Sequence, residues 1–281
     1  MESIQEITSA MIEGFASYLN EEEKSRATIE KYLHDVKYFQ RYVNGAHINK
    51  TMILTYKDKL REEFAVSSAN SMIAALNSFL KFLNRYDLCV KQFRIQKSVY
   101  CPEEKELTKT EYVRLVEAAK RKGNERLQLL IQTICSTGIR VSELQYITVE
   151  AIKQGKAVVN CKGKTRTVFI VRRLQVKLLQ YAKKQVISSG AVFITKTGKP
   201  LNRCYVWREM KMLCGQADVS PTKVFPHNLR HLFARTFYEI EKDIAKLADI
   251  LGHGNINTTR IYIITTGMEH RRKMELMRLV I

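Results

Sequence analysis

Apolar residues recur at intervals of three and four along most of this chain, most regularly over its first ninety residues. Ile4, Ile7, Met11, Phe15, Tyr18 and Leu19 mark one helical face, and Ile29, Tyr32, Leu33, Val36, Phe39 and Val43 mark a second. A third helix is expected to start at Thr51. A fourth runs from Ser67 through Met72, Ile73, Leu76, Phe79, Leu80 and Leu83. The period lapses between Lys91 and Lys105, a stretch containing Pro102 that reads as a linker. Thr108-Lys109-Thr110-Glu111 then has the spacing of a capping box, in which Thr and Glu each satisfy an exposed amide at a helix start. These signals divide the chain into a helical domain over 1–90, a linker over 91–105 and a second domain over 106–281.

The second domain mixes periods. Two short β-prone runs, 157–160 and 167–171, flank the basic turn Cys161-Lys162-Gly163-Lys164 and predict a hairpin. Residues 191–195, followed by Lys196-Thr197-Gly198-Lys199-Pro200, are expected to add a strand and a turn. Helices are predicted over 172–187, 202–215, 226–239 and 242–250, with a short one carrying Tyr262 and a last one over 268–279. The fold class is therefore mainly α with a small β-sheet. Neither internal repeats nor low-complexity segments interrupt it.

A length of 281 residues suits two domains, and a hydrophobic content of 45% is enough for a core in each. Charge changes the picture more. Residues 1–98 hold 14 Lys and Arg against 12 Asp and Glu, whereas the remainder holds 33 against 16. So basic a second domain calls for a polyanionic partner, nucleic acid before an anionic membrane surface. No apolar run approaches the roughly 18 residues of a membrane span, and no amino-terminal stretch has the make-up of a secretory signal. The six cysteines (89, 101, 135, 161, 204 and 214) show neither metal-ligand nor disulfide-framework spacing, so free thiols in a reducing cytoplasm are expected.

The informative constellation lies late in the chain. His227-Asn228-Leu229-Arg230-His231 is followed by Leu251-Gly252-His253 and, nine residues after His253, by Tyr262. Upstream, Thr137-Gly138-Ile139-Arg140-Val141-Ser142-Glu143-Leu144 supplies a second arginine and the basic turn supplies Lys162. In order and spacing these residues resemble the tyrosine recombinases, the integrase family of site-specific DNA strand-exchange enzymes. The resemblance is specific from Arg140 to Tyr262 and consistent over the rest. It implies an N-terminal core-binding (SAM-like) helical bundle and a C-terminal catalytic domain that close on DNA.

The chemistry explains the residue types. A tyrosine attacks a DNA phosphorus and expels the 5′ hydroxyl, and the resulting 3′-phosphotyrosine conserves the bond energy, so neither ATP nor a metal or other cofactor is needed. Phenol, with a pKa of about 10, needs a base or a cationic setting. Two guanidiniums can clamp the extra charge of the phosphorane through paired hydrogen bonds, and an ammonium can protonate the departing alkoxide. The resemblance assigns Arg140 and Arg230 as clamps, Lys162 as the acid, His227 and His253 as proton-handling or phosphate-binding groups, and Tyr262 as nucleophile. It gives Glu143 an orienting role. His231 reads as a buried structural partner, and Lys164 remains the alternative to Lys162.

Plainer readings stand beside these. Arg140 and Arg230 taken singly are solvated helix-face arginines, and Ile261-Tyr262-Ile263-Ile264 taken singly is core packing. Ile263 and Ile264 are more apolar than the residues often found after the family's nucleophile. His227 and His231 have a zinc-binding spacing, but Asn228 stands where a zinc protease needs Glu. Arg172, Arg173, Lys183, Lys184, Lys196, Lys199, Arg203, Arg208 and Lys223 are expected on the DNA backbone, as are Ser25, Arg26, Thr28 and Lys31 unless they simply cap and solvate a helix. The tail from Met268 either packs on its own chain or, as the resemblance implies, docks into a neighbouring protomer of a tetramer on DNA. A separate arm-binding domain is not expected. Accessory proteins stay open, as do a non-recombining DNA-binding protein on the same fold and an enzyme that only relaxes supercoils.

Overall fold

The computed structural model describes residues 6–95, 105–161, 164–195 and 197–262, with Arg271 and residues 274–277 beyond them. The chain is mainly helical and falls into two compact units, Met1–Lys97 and Ser98–Ile281.

In the first unit, α1 (Ser9–Glu21), α2 (Arg26–Val43), α3 (Lys50–Glu63) and α4 (Val66–Phe82) enclose one core. Thr8, Ser25 and Asn49 each accept an amide of the helix they precede, which fixes the first three starts. Phe15, Phe39, Tyr56 and Phe79 are fully buried, and Phe15 meets Phe79 edge-on at 5.2 Å. α4 buries Ala69, Met72, Ile73, Ala75, Leu76, Phe79 and Leu80, so it is the helix the others wrap. The chain beyond it is held by two asparagines of α4. Asn77 exchanges hydrogen bonds with both backbone groups of Val90 at 2.8 and 3.0 Å, and Asn70 does the same with Phe93 at 2.9 and 2.7 Å. A side-chain amide here takes the place of a neighbouring strand, and Val90 and Phe93 are satisfied without a sheet.

The second unit starts with α5 (Lys109–Arg121), whose capping box between Thr108 and Glu111 forms as its spacing predicts. α6 (Glu125–Thr137) carries Leu127, Leu129, Leu130, Ile131 and Ile134 and is buried nearly all round, as a central helix must be. A 3-10 turn (Val141–Tyr146) and α7 (Val149–Gln154) lead to β1 (Lys156–Cys161) and β2 (Lys164–Phe169), an antiparallel hairpin with Val159 opposite Arg166. Ala157, Val159 and Val168 face the core while Val158 and Phe169 are exposed. Then come α8 (Arg172–Lys184), α9 (Arg203–Lys211), α10 (Cys214–Ala217), α11 (Pro226–Glu241), α12 (Ile244–Leu251) and α13 (Ile256–Arg260).

Several expectations need correction. Residues 191–195 make two isolated bridges, Thr148 to Ala191 and Ile194 to Pro200, rather than a strand, because each partner meets them at a single residue. The helix expected over 202–215 breaks after Lys211 and resumes at Cys214. Arg140 precedes a 3-10 turn, not an α-helix. The short helix expected to carry Tyr262 stops at Arg260, before it, and is capped by Asn255. The helix expected over 268–279 lies mostly outside the described residues.

Candidate functional site

Four segments of the second unit converge on one place. The first is the end of α6. Gly138 takes φ +65°, and a β-carbon there would stand 2.5 Å from the Phe233 ring, so the turn admits little but glycine. Arg140 follows with extended backbone. Glu143 folds back on it, accepting its amide at 2.9 Å and its Nη1 at 2.8 Å.

The second segment is β2, which contributes a residue that the motif reading missed. Arg166 donates Nη1 and Nη2 to the two oxygens of Glu143 at 2.9 and 2.7 Å. Glu143 is only 1% exposed and the Arg166 side chain 11%. Burial works to raise the Glu143 pKa, but hydrogen bonds from Arg166 and Arg140 outweigh it and hold the carboxyl at about 2. A signal was available in the sequence: Arg166 shares the inward parity of Val168, and an inward arginine on a strand demands a buried acid.

The third segment is the start of α11, where Pro226 occupies the first helical position and presets the turn. Arg230, one turn in, is 1% exposed and its guanidinium is largely spoken for. Nη1 donates to the Gly138 carbonyl at 2.5 Å, and Nη2 donates to the Leu251 carbonyl at 2.7 Å and to His253 Nε2 at 3.0 Å. Its Nε is buried without an acceptor. Burial first, and the Arg140 charge second, bring its pKa down to about 10. It is not the solvated helix-face arginine of the plainer reading.

The fourth segment runs from α12 to Tyr262. Gly252 ends α12 with φ +66°, and the His253 amide bonds back to the Ala248 carbonyl, closing the helix and turning the imidazole inward. Gly252 permits a close approach to Arg166, whose Cδ would lie 2.7 Å from an added β-carbon. Because an arginine nitrogen can only donate, His253 Nε2 accepts, and Nδ1–H donates to the hydroxyl of buried Thr259 at 2.9 Å. His253 is therefore neutral, consistent with a pKa lowered to about 4 by burial and then by Arg230 and Arg140.

Tyr262 is 4% exposed and lies among three imidazoles. His253 stacks on it at 5.4 Å, His231 lies 4.3 Å away, and His227 Nε2 is 3.2 Å from its hydroxyl. His231 makes these ring contacts, including one with His227 at 4.9 Å, and burial lowers its pKa to about 4. His227 is exposed as a residue, but partial burial of its ring, followed by the charges of Arg230, Arg140 and Arg203, lowers its pKa as well. All these cations act in the same direction.

Beside this cluster opens a pocket of about 990 Å³, lined by Arg140, Arg203, Trp207, Arg208, His227 and Arg230 among others. Of the remaining candidates, Arg172, Arg173, Lys199 and Arg203 are exposed, whereas Lys223 is tied to Glu111 at 2.9 Å with both groups mostly covered. Ser25 and Thr28 bond each other as a helix cap, and Arg26, 93% exposed, pairs with Glu30 at the surface. Lys162 and Lys196 lie outside the described residues, as does the Lys164 side chain. Among the described residues no group of three or more His, Cys, Asp or Glu is arranged to hold a metal ion, and Cys89, Cys135, Cys204 and Cys214 are free thiols. No helix among them is long and apolar enough to cross a membrane.

Comparison with known proteins agrees with this geometry. A family model described as "Phage integrase family" matches residues 105–267, and one described as "Phage integrase, N-terminal SAM-like domain" matches residues 12–86. The tyrosine recombinase XerA of Pyrococcus furiosus is 30% identical over 279 residues, covering 96% of this chain and 94% of its own. The tyrosine recombinase XerD of Halalkalibacterium halodurans is also 30% identical, covering 88% and 90%. Among solved structures the fold is similar to a XerH site-specific recombinase bound to its difH substrate (TM-score 0.69, 17% identity, 97% and 90% covered). It is similar too to a lambda integrase tetramer bound to a Holliday junction (TM-score 0.73, 18% identity, 92% and 78% covered).

Proposed function

Because this chain belongs to the phage integrase family and is a tyrosine-type site-specific recombinase, we propose that Tyr262 is the residue through which it breaks and rejoins DNA. The observation that carries the assignment is the Tyr262 hydroxyl 3.2 Å from His227 Nε2, within a cluster that also holds Arg230 and His253. His227, kept neutral by its lowered pKa, accepts the phenol proton as the oxygen attacks phosphorus. The Tyr262 Oη–P bond forms, the P–O5′ bond breaks, and Lys162 protonates the departing oxygen. Rejoining reverses these transfers with a new 5′ hydroxyl. Arg140 and Arg230, which both line the pocket, hold the non-bridging oxygens. His253 assists at the same phosphate, and Glu143 orients Arg140.

Residues 1–90 form the core-binding domain, 91–105 the linker and 106–281 the catalytic domain with its tail. The substrate is double-stranded DNA with specific core sites, bound in the cytoplasm by four protomers. Exposed Met274, Leu276 and Met277 support a tail that docks into a neighbouring protomer. Lys164, Arg172, Arg173, Lys196, Lys199 and Arg203 contact the backbone, with Ser25, Arg26 and Thr28 from the first domain. Lys223, already paired with Glu111, is left out of that set.

The test is a covalent trap. Wild type and Tyr262→Phe are incubated with sheared genomic DNA from the source organism and denatured, and the DNA attached to protein is sequenced. Adducts from wild type alone, mapped to Tyr262, support the assignment and reveal the site. Adducts that persist in Tyr262→Phe would reject it.

A further inference from the structure

We infer that Arg166 is a positioning residue for the cleavage step: it neutralises Glu143, so that Arg140 is held in one orientation yet presents its full positive charge to the scissile phosphate. The inference rests on the reading of Arg140 as a phosphate clamp.

Glu143 accepts four hydrogen bonds, two from Arg140 and two from Arg166, with each carboxylate oxygen serving one donor of each residue. A carboxylate has about four lone-pair directions, so this one is saturated. It has no rotational freedom left, and Arg140, bound to it through both backbone and side chain, shares that rigidity.

Charge makes the second half of the argument. With Glu143 and Arg140 alone, the pair would be close to neutral, and an incoming phosphate would compete with a buried carboxylate for the same guanidinium. Arg166 changes the sum. One acid between two arginines leaves a net charge of +1, and Arg166, 11% exposed, is the arginine turned from solvent, whereas the Arg140 side chain keeps 34% of its surface open. The surplus charge therefore sits on the residue that lines the pocket. At the short range of a phosphate contact such a charge acts with little screening by salt.

Packing holds Arg166 from the other side. Its Cδ lies under Gly252, so closely that a β-carbon there would be 2.7 Å away, and the next residue is His253. Arg166 thus joins three of the four segments of the site: the hairpin, the turn bearing Arg140 and the loop bearing His253. Arg172, which opens the helix after the hairpin, bonds Gln175 instead.

The experiment measures the rate of covalent adduct formation on the sheared genomic library, alongside salt-resistant non-covalent retention of the same DNA. Arg166→Gln is expected to cut adduct formation about 100-fold, on the scale of losing one transition-state donor, while retention changes less than about threefold. Arg166→Lys restores the charge without the fork and should recover about tenfold of that loss. The double variant Glu143→Gln with Arg166→Gln removes the uncompensated acid and should cleave faster than Arg166→Gln alone. A purely structural role predicts the opposite, since two buried partners would then be lost instead of one. Equal adduct rates for wild type, Arg166→Gln and Arg166→Lys would overturn the inference, and so would a double variant no faster than the single one. Should Arg166→Gln fail to fold, Arg166→Lys against wild type decides: an unchanged rate overturns, and a slowed rate with unchanged retention supports. A wild type that forms no adduct would instead sink the assignment of Tyr262, which keeps the two failures distinct.

Discussion

The three histidines around Tyr262 are neutral for a shared reason, burial beside guanidiniums, and this ties the site to acid stability. His231 and His253 have pKa values of about 4 in the folded chain against about 6.5 unfolded, so between those values the unfolded chain binds more protons. The stability they confer is whole above about pH 6.5 and is lost as the pH falls through the window towards 4. Urea denaturation at pH 7.5, 6 and 5 should show this slope, and His231→Phe, which cannot take up a proton, should flatten it; an unaltered slope would reject the cause. A second prediction concerns Lys162. Lys162→Ala should cleave ordinary DNA at least 100-fold more slowly, yet recover on a substrate with a 5′-bridging sulfur, because a thiolate leaves without a proton. No recovery would remove the acid role from Lys162. At this scale the sequence was informative for Arg140, His227, Arg230, His253 and Tyr262, which the fold gathers in one cluster. The motif pattern missed Arg166, whose one signal is the inward parity it shares with Val168 on β2, and nothing local marks the pairing of Lys223 with Glu111, 112 residues away.

Elements were legible where a single chain segment decides them. The four helices of the first unit, the capping box at Thr108 and the hairpin all follow from local periodicity and caps. Failures came where tertiary partners decide. Residues 191–195 have strand composition but only single bridging partners, and the helix expected over 202–215 breaks at Met212 and Leu213 between two packed segments. Gly138 makes a prediction at this level. Gly138→Ala combines a left-handed backbone with a 2.5 Å approach to Phe233, and it should destabilise the chain by about 2–4 kcal/mol and weaken cleavage by shifting the carbonyl that Arg230 binds. A melt within a degree of wild type would contradict that. Gly123→Ala has a similar φ but open space around it, and serves as the control for backbone strain alone.

For the whole molecule, the excess of basic residues after position 98 sets how it meets DNA. If six to ten phosphates are contacted, affinity should fall about 10³- to 10⁵-fold between 50 and 200 mM salt, measured by fluorescence anisotropy. A flat salt response would contradict a backbone-dominated interface. The exposed indole of Trp207, the chain's one tryptophan, lies in the pocket and offers a native reporter of the same event. The internal bonding of Arg230 has one more consequence. Its Nη1 and Nη2 donate to carbonyls and an imidazole of the protein itself, and the Tyr262 hydroxyl faces His227. An enzyme that stores bond energy in a protein–DNA link is dangerous when it fires at random, and this arrangement behaves as a safety catch. A phosphate that binds Nη1 or Nη2 must first displace the protein's own acceptors, so arming the site carries a cost that the DNA interface has to offset.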